Sequence, residues 1–255
     1  MSTWKFAGVA LEDYGIVSRV SDALKLPTKR SDNALIPLRD GRVFVKKNFD
    51  QRKITLGLDV VETSVAALET RMDALRTVFG IRSQALLEEK LANGAVRSVL
   101  AEVTGDLGVN RVSPGAVRLA VDFILADPYF RSPTLTSDET TVNLTSKNYT
   151  LINAGSAEER NMVITFTGPL NQPRLTNLTN SVWVGYNGTL SSGVSVVIDC
   201  AKYTALSGGS NVVGSIVHSG DPAFWVLMPG SNSLLMQTTS TTGGKVKIDF
   251  YPPHF

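Results

Sequence analysis

The 255-residue sequence has one cysteine, Cys200, so it cannot close a disulfide within itself. With only His218 and His254 beside it, a Cys/His zinc site lacks ligands. Cys200 therefore reads as a small buried thiol. Excess charge of either sign is also missing. Lys and Arg number 25 against 23 Asp and Glu, a formal net charge of +2, too balanced for a protein whose main task is holding nucleic acid through its phosphates. Long apolar runs are absent: Val117 to Ala126 is broken by Arg118 and Asp122, whereas a spanning helix needs about 20 consecutive apolar residues. Phe6 to Leu11 falls short of the apolar core of a secretory signal, about 7 to 15 residues, so a chain without a membrane anchor, made in a cytoplasm, is expected. What is present is an ordinary globular composition, 43% hydrophobic and 19% charged, long enough for one large domain or two of ordinary size.

Charge is unevenly spread. Of the 25 basic residues 19 precede residue 132, and of the 23 acidic residues 16 do. Beyond that point Thr, Ser, Asn and Gly separate short apolar runs, the pattern of a β-sandwich. A boundary is expected in the polar connector Arg131-Ser-Pro-Thr-Leu-Thr-Ser-Asp-Glu-Thr140, which divides domains 1–131 and 132–255. In the first, Ile54, Leu56, Leu58 and Val60, and later Val117, Leu119, Val121, Phe123 and Leu125, alternate with more polar residues, as half-buried strands do. Between them Leu68, Met72, Leu75 and Phe79 recur at helical spacing, with Thr63-Ser64 as cap and Gly80 as stop. One amphipathic helix covering a sheet makes this domain α+β. In the second domain strand-length runs include Met162 to Phe166, Val182 to Tyr186, Val194 to Ile198, Phe224 to Met228 and Val246 to Phe250. Asn187-Gly188 and Gly243-Gly244 sit where hairpin turns call for positive φ.

Catalytic patterns do not assemble, and an enzyme is not expected. Gly243-Gly244-Lys245 lacks the upstream glycine of a phosphate loop and reads as a turn. The acids Asp138-Glu139 and Glu158-Glu159 are sequence neighbours, unlike the paired carboxylates of a glycosidase, and read as solvated loop acids. His218, Ser219 and Asp221 have the residue types of a hydrolase triad crowded into one loop without a nucleophile elbow. Asn143, Asn148, Asn177 and Asn187 each open an N-x-T pattern, which an Asn/Thr-rich β domain produces without a secretory route. Trp183, Tyr186 and Trp225 suit either a platform for a sugar or partner, or buried strand positions. Arg42, Lys46, Lys47, Arg52 and Lys53 around Phe44, Val45 and Phe49 suit either an acidic partner or a solvated hairpin edge. No metal, cofactor or catalytic residue is assigned.

Read in order, Ile36-Pro37-Leu38-Arg39-Asp40-Gly41, the Leu68 to Phe79 stripe and Phe123 to Phe130 with its Asp127-Pro128-Tyr129 resemble the N-terminal domain of the distal tail proteins of long-tailed bacteriophages, the Dit-like siphophage tail components. Asn153-Ala-Gly155, Pro173 to Asn177, Val197-Ile198-Asp199, and Phe224 to Asn232 with its Pro229-Gly230-Ser-Asn232, closed by Lys245 to Tyr251, are similar to that family's galectin-like domain. The resemblance implies a tail-tube-related first domain, a barrel- or sandwich-like sheet with one helix, followed by a galectin-like β-sandwich. It implies a homohexameric ring at the virion tail tip, through which DNA passes unread. Its implied partners are the tail tube, tape-measure and tail-hub proteins and a receptor-binding protein. Sugar-binding galectins carry His-x-Asn-Pro-Arg and Trp-Gly-x-Glu-x-Arg strands. Asn171-Gln-Pro-Arg174 half imitates the first, and Trp183-Val-Gly185 lacks the acid and arginine of the second, so the fold does not imply galactose binding. The alternative is a carbohydrate-binding adhesin of the tail tip using Trp183, Tyr186 or Trp225.

Overall fold

The computed structural model describes residues 3–21, 25–30, 34–35, 40, 42–43, 48–220, 224–239 and 243–255. The chain divides into two compact units, one running to Phe130 and including Phe255, the other Arg131–His254.

Among the described residues the main sheet of the first unit is built of β1 (Thr3–Phe6), β2 (Val9–Ala10), β3 (Ile16–Ser21), β4 (Arg52–Val61), β5 (Ala85–Lys90), β6 (Val96–Ser113) and β7 (Ala116–Leu125), with the α-helix α1 (Val65–Phe79). They hydrogen-bond in the order β2-β1-β5-β6-β7-β4-β3, every neighbour antiparallel. The two alternating runs lie side by side, with Leu56 opposite Val121 and Leu58 opposite Leu119, so their apolar faces fuse into one. That face meets Leu68, Met72, Leu75 and Phe79 of α1, all buried. Phe6, Phe79 and Phe123 form an aromatic cluster, Phe6 to Phe123 edge-on at 5.0 Å. The helix begins where the Ser64 hydroxyl accepts the Ala67 N–H at 3.2 Å and ends where the Gly80 N–H reaches the Arg76 carbonyl at 2.8 Å.

The second unit holds β8 (Thr136–Val142), β9 (Ser146–Asn153), β10 (Val163–Thr167), β11 (Arg174–Asn177), β12 (Val182–Tyr186), β13 (Ser195–Asp199), β14 (Thr204–Ser207), β15 (Ser210–Asn211), β16 (Ile216–His218), β17 (Gly230–Gln237) and β18 (Gly244–Phe250). One sheet runs β8-β18-β10-β13-β14-β15, the other β9-β17-β11-β12-β16. Their inner faces share a single apolar cluster including Phe166, Leu175, Val184, Ile198, Leu234, Met236, Ile248 and Phe250, which is a β-sandwich.

Several expectations change. The connector after Arg131 is polar but not irregular throughout: from Thr136 it becomes β8, an edge strand laddered onto β18. Phe224 to Met228 is not a strand. Trp225, Val226 and Leu227 are all buried, so there is no period-two alternation. The segment makes a single bridge, Leu227 to Glu159, and the strand starts at Gly230. Gly243 has the expected positive φ, +80°, whereas neither Asn187 nor Gly188 does. Gly188 is required for space instead: a Cβ there would lie 2.6 Å from the Tyr186 ring.

Candidate functional site

The three aromatic candidates do not converge. Trp225 is 0% exposed and belongs to the core, which removes its ring from any platform. Tyr186 turns inward and packs against the same core. Trp183, three positions away on β12 and so on the other face, points outward and is half-buried. The Arg174 guanidinium covers its ring at 3.9 Å from the centroid, a cation–π contact. Register places Asn148, Leu235, Thr176 and Trp183 in one row across the outer face of the second sheet.

The motif residues singled out in the sequence have structural tasks. Gly230 follows the exposed Pro229 with φ +82°, and Asn232 is fully buried behind it. Asn232 Oδ1 accepts from Met228 N at 2.8 Å and Asn177 Nδ2 at 2.8 Å, while its Nδ2 donates to the carbonyls of Met228 and Gly230. Asn177 Nδ2 also donates to the Val226 carbonyl at 2.9 Å, and its Oδ1 accepts from Thr179 N. Two amides thus hold the irregular Trp225 segment against the second sheet. Asn153 does similar work, accepting from Gly155 N and donating to the Ala157 carbonyl. Asp199 accepts from the backbone N–H groups of Ala201 and Lys202, both at 3.1 Å. In the first unit Asp127 accepts from Tyr129 N at 3.1 Å across a bend with Pro128 half-buried, and the Tyr129 ring packs on Phe49 and Phe255. Asp40 is exposed; Pro37, Arg39 and Gly41 lie outside the described residues.

The acidic pairs separate. Glu139 faces outward to Lys245 Nζ at 2.6 Å, while Asp138 points between the sheets, where burial raises its pKa against a partial offset from Lys147. Glu159 is not a solvated loop acid: it is 0% exposed, bound by Arg131 and the Asn161 N–H. Burial still pushes its carboxyl upward. Cys200 is buried and its thiol is pushed up to about 12 by burial, an inert state. His218 Nδ1 accepts from Gly220 N and its ring leans on Phe224, Ser219 Oγ accepts from Trp183 N, and Asp221 lies outside the described residues. Of the basic cluster, Arg52 is buried, with Nη2 donating to the Lys25 carbonyl at 2.8 Å and its guanidinium over Phe130. Lys53 pairs with Asp122 at 2.7 Å, and residues 44–47 lie outside the described region. Lys245 lies in β18 after the Gly243 turn and holds no phosphate-loop geometry. Among the described residues no group of acids, His and Cys is placed to hold a metal ion.

The sequence pattern did not disclose the long β6–β7 hairpin. The ladder of β6 to β5 ends at Ala101, whereas its ladder to β7 continues to Ser113, with a register shift between Thr104 and Gly108. Beyond that shift, Val109 is 52% and Val112 63% exposed. At the far end of the sheet the edge strand β3 exposes Ile16. Apolar residues on unpaired edges are what a soluble monomer avoids.

Residues 154–253 match the family model described as "Siphovirus-type tail component, C-terminal domain". Over 98% of this chain and 99% of the other, the fold is that of the SPP1 Dit protein (gp 19.1), described as a paradigm of the hub adsorption apparatus in phages infecting Gram-positive bacteria, with TM-score 0.70 and 15% identity. A chain of the phage p2 baseplate, in its activated conformation with Sr, aligns over 98% of each chain with TM-score 0.43 and 10% identity. No curated protein matches in sequence. The second unit thus matches a siphovirus-type tail-component model, and the chain along its whole length shares the fold of SPP1 Dit.

Proposed function

We propose that this chain is a structural hub protein of a siphophage tail, the distal tail ring that joins the tail tube to the tail tip or baseplate. The whole-length fold likeness to SPP1 Dit carries this reading, together with the tail-component match over residues 154–253. In this reading six copies close through their first units around a channel for DNA, by a head-to-tail interface that returns on itself. The exposed apolar edges at Val109, Val112 and Ile16 suit such an interface. The near-neutral net charge suits a conduit that lets DNA pass. The second unit, a galectin-like sandwich, docks baseplate or receptor-binding components, and the tape-measure and tube proteins meet the ring. The protein acts in the virion tail after synthesis in the host cytoplasm, and it is not an enzyme.

Light scattering of the purified chain, alone and with its tail-tip neighbours, tests this. A hexamer, or a ring seen at the tail end by electron microscopy, is expected. A monomer under every condition and a tail tip built without the chain overturn it.

The Trp183–Arg174 pair favours a second reading, a sugar-binding face on the outer sheet. Saturable binding to host wall glycans lost in Trp183→Ala supports it, and absence of retention on those glycans removes it.

A further inference from the structure

We infer that Asn187 is a site of spontaneous deamidation, a covalent change that the fold permits there and blocks at the other Asn-Gly pair. Asn-Gly occurs twice in the sequence, at Asn93-Gly94 and Asn187-Gly188. The reaction needs the amide nitrogen of the following residue to reach the asparagine side-chain carbon, Cγ, and glycine hinders that approach least. At the first pair both participants are occupied. The Gly94 N–H donates to the Leu91 carbonyl at 2.9 Å, and Asn93 Oδ1 accepts from Ala95 N at 3.0 Å. At the second pair the Gly188 N–H donates to nothing among the described residues. Asn187 is exposed, and its side-chain oxygen receives a 3.4 Å bond from Gln172 Nε2, at the weak end of hydrogen-bond geometry.

The chemistry closes without a cofactor. Hydroxide removes the Gly188 amide proton, and the nitrogen attacks Asn187 Cγ. The new N–C bond forms a cyclic imide as the Cγ–Nδ2 bond breaks and ammonia leaves. Water then adds to either imide carbonyl and opens the ring to aspartate or isoaspartate. The neighbouring peptides are held, Asn187 N to the Ser215 carbonyl at 2.8 Å and Gln172 N to the Gly188 carbonyl at 2.9 Å, so the native rate falls below that of a free chain. Substitution of Gly188 removes the Asn-Gly pair only by forcing the Tyr186 ring to move, because a Cβ there would lie 2.6 Å from it. The product places a negative charge on the exposed turn. Isoaspartate also inserts a backbone carbon just after β12, which slackens the Gly188 anchor. The turn thereby records the age of the protein.

Peptide mapping of the full-length chain by mass spectrometry, after incubation at mildly alkaline pH, tests this, with isoaspartate read by enzymatic methylation. In the native chain, conversion at Asn187 is expected to run several-fold ahead of Asn93. In urea the two sites are expected to convert at similar rates, because the difference comes from the fold. Equal native rates, a faster Asn93, or no native conversion at Asn187 overturns the inference. Asn187→Gln is expected to abolish the signal at this turn and leave unfolding unchanged.

Discussion

At the scale of single residues, the second unit depends on polar side chains placed where apolar ones would be expected. Asn232, itself fully buried, satisfies two backbone groups of the half-buried Met228, the carbonyl of Gly230 and the buried amide of Asn177. Asn232→Ala leaves these groups without partners, so a loss of about 3 kcal/mol is expected. Urea unfolding of the full chain, followed by the burial of Trp225, measures it. A midpoint unchanged from the parent would show that the segment is held by packing alone. Asp138 acts in the opposite sense. Its pKa is raised by burial, so the folded state holds its proton more tightly than the unfolded chain. Stability from this group is fully present below the ordinary aspartate range and is lost as pH rises through the folded value. Asp138→Asn is therefore expected to raise the melting temperature at pH 7, with the gain vanishing below about pH 4. Melting curves across that range decide, and a gain independent of pH would assign it to something other than the charge.

Elements differ in how plainly their sequence announces them. The helix α1 carries a buried stripe at spacings of four, three and four, a hydroxyl cap and a glycine stop, and each signal points to the same structure. Leu75 is 0% exposed against the sheet, so Leu75→Ala is expected to cost about 2 to 5 kcal/mol, whereas Ser64→Ala removes one cap bond and costs about 1 kcal/mol. Comparable losses from the two variants in chemical denaturation would contradict the view that packing, rather than local propensity, holds the helix. Strands β4 and β7 were equally legible, because each buries alternate residues against that helix. Strands β6 and β8 were not. Half of β6 faces water along both sides of the ribbon, and β8 is an edge of Thr, Ser and acids, so neither writes a hydrophobic period. Trp225 misled for the converse reason: a buried irregular segment is apolar without alternation, and the bonds of Asn177, Asn180 and Asn232 and the Leu227–Glu159 bridge explain how it lies there. The Asp-Pro-Tyr and Pro-Gly-Ser-Asn motifs could be recognised in the sequence, and Asp127 bonds locally to Tyr129 N, but the contact of Asn232 with Asn177 joins residues 55 apart and could not be read from it.

At the scale of the whole molecule, the exposed edge of the β6–β7 hairpin separates what the chain needs to fold from what it needs to assemble. Val109 and Val112 are more than half exposed, so replacing both by aspartate is expected to leave stability within about 0.5 kcal/mol per site. If six copies close through this edge, each interface receives the new charges. Aspartates buried without partners at a repeated contact oppose closure at every joint of the ring. The double variant is then expected to remain monomeric where the parent forms a ring, by light scattering and by electron microscopy of tails assembled with each protein. Leu144→Asp provides the control, since Leu144 is 65% exposed in the second unit, outside the proposed ring contact, and its ring is expected to persist. Rings from both variants would move the interface elsewhere on the first unit, while loss in both would point to a general intolerance of added charge. Loss in the hairpin variant alone, with folding intact, would place ring closure at the strand edge that the apolar pattern left uncovered.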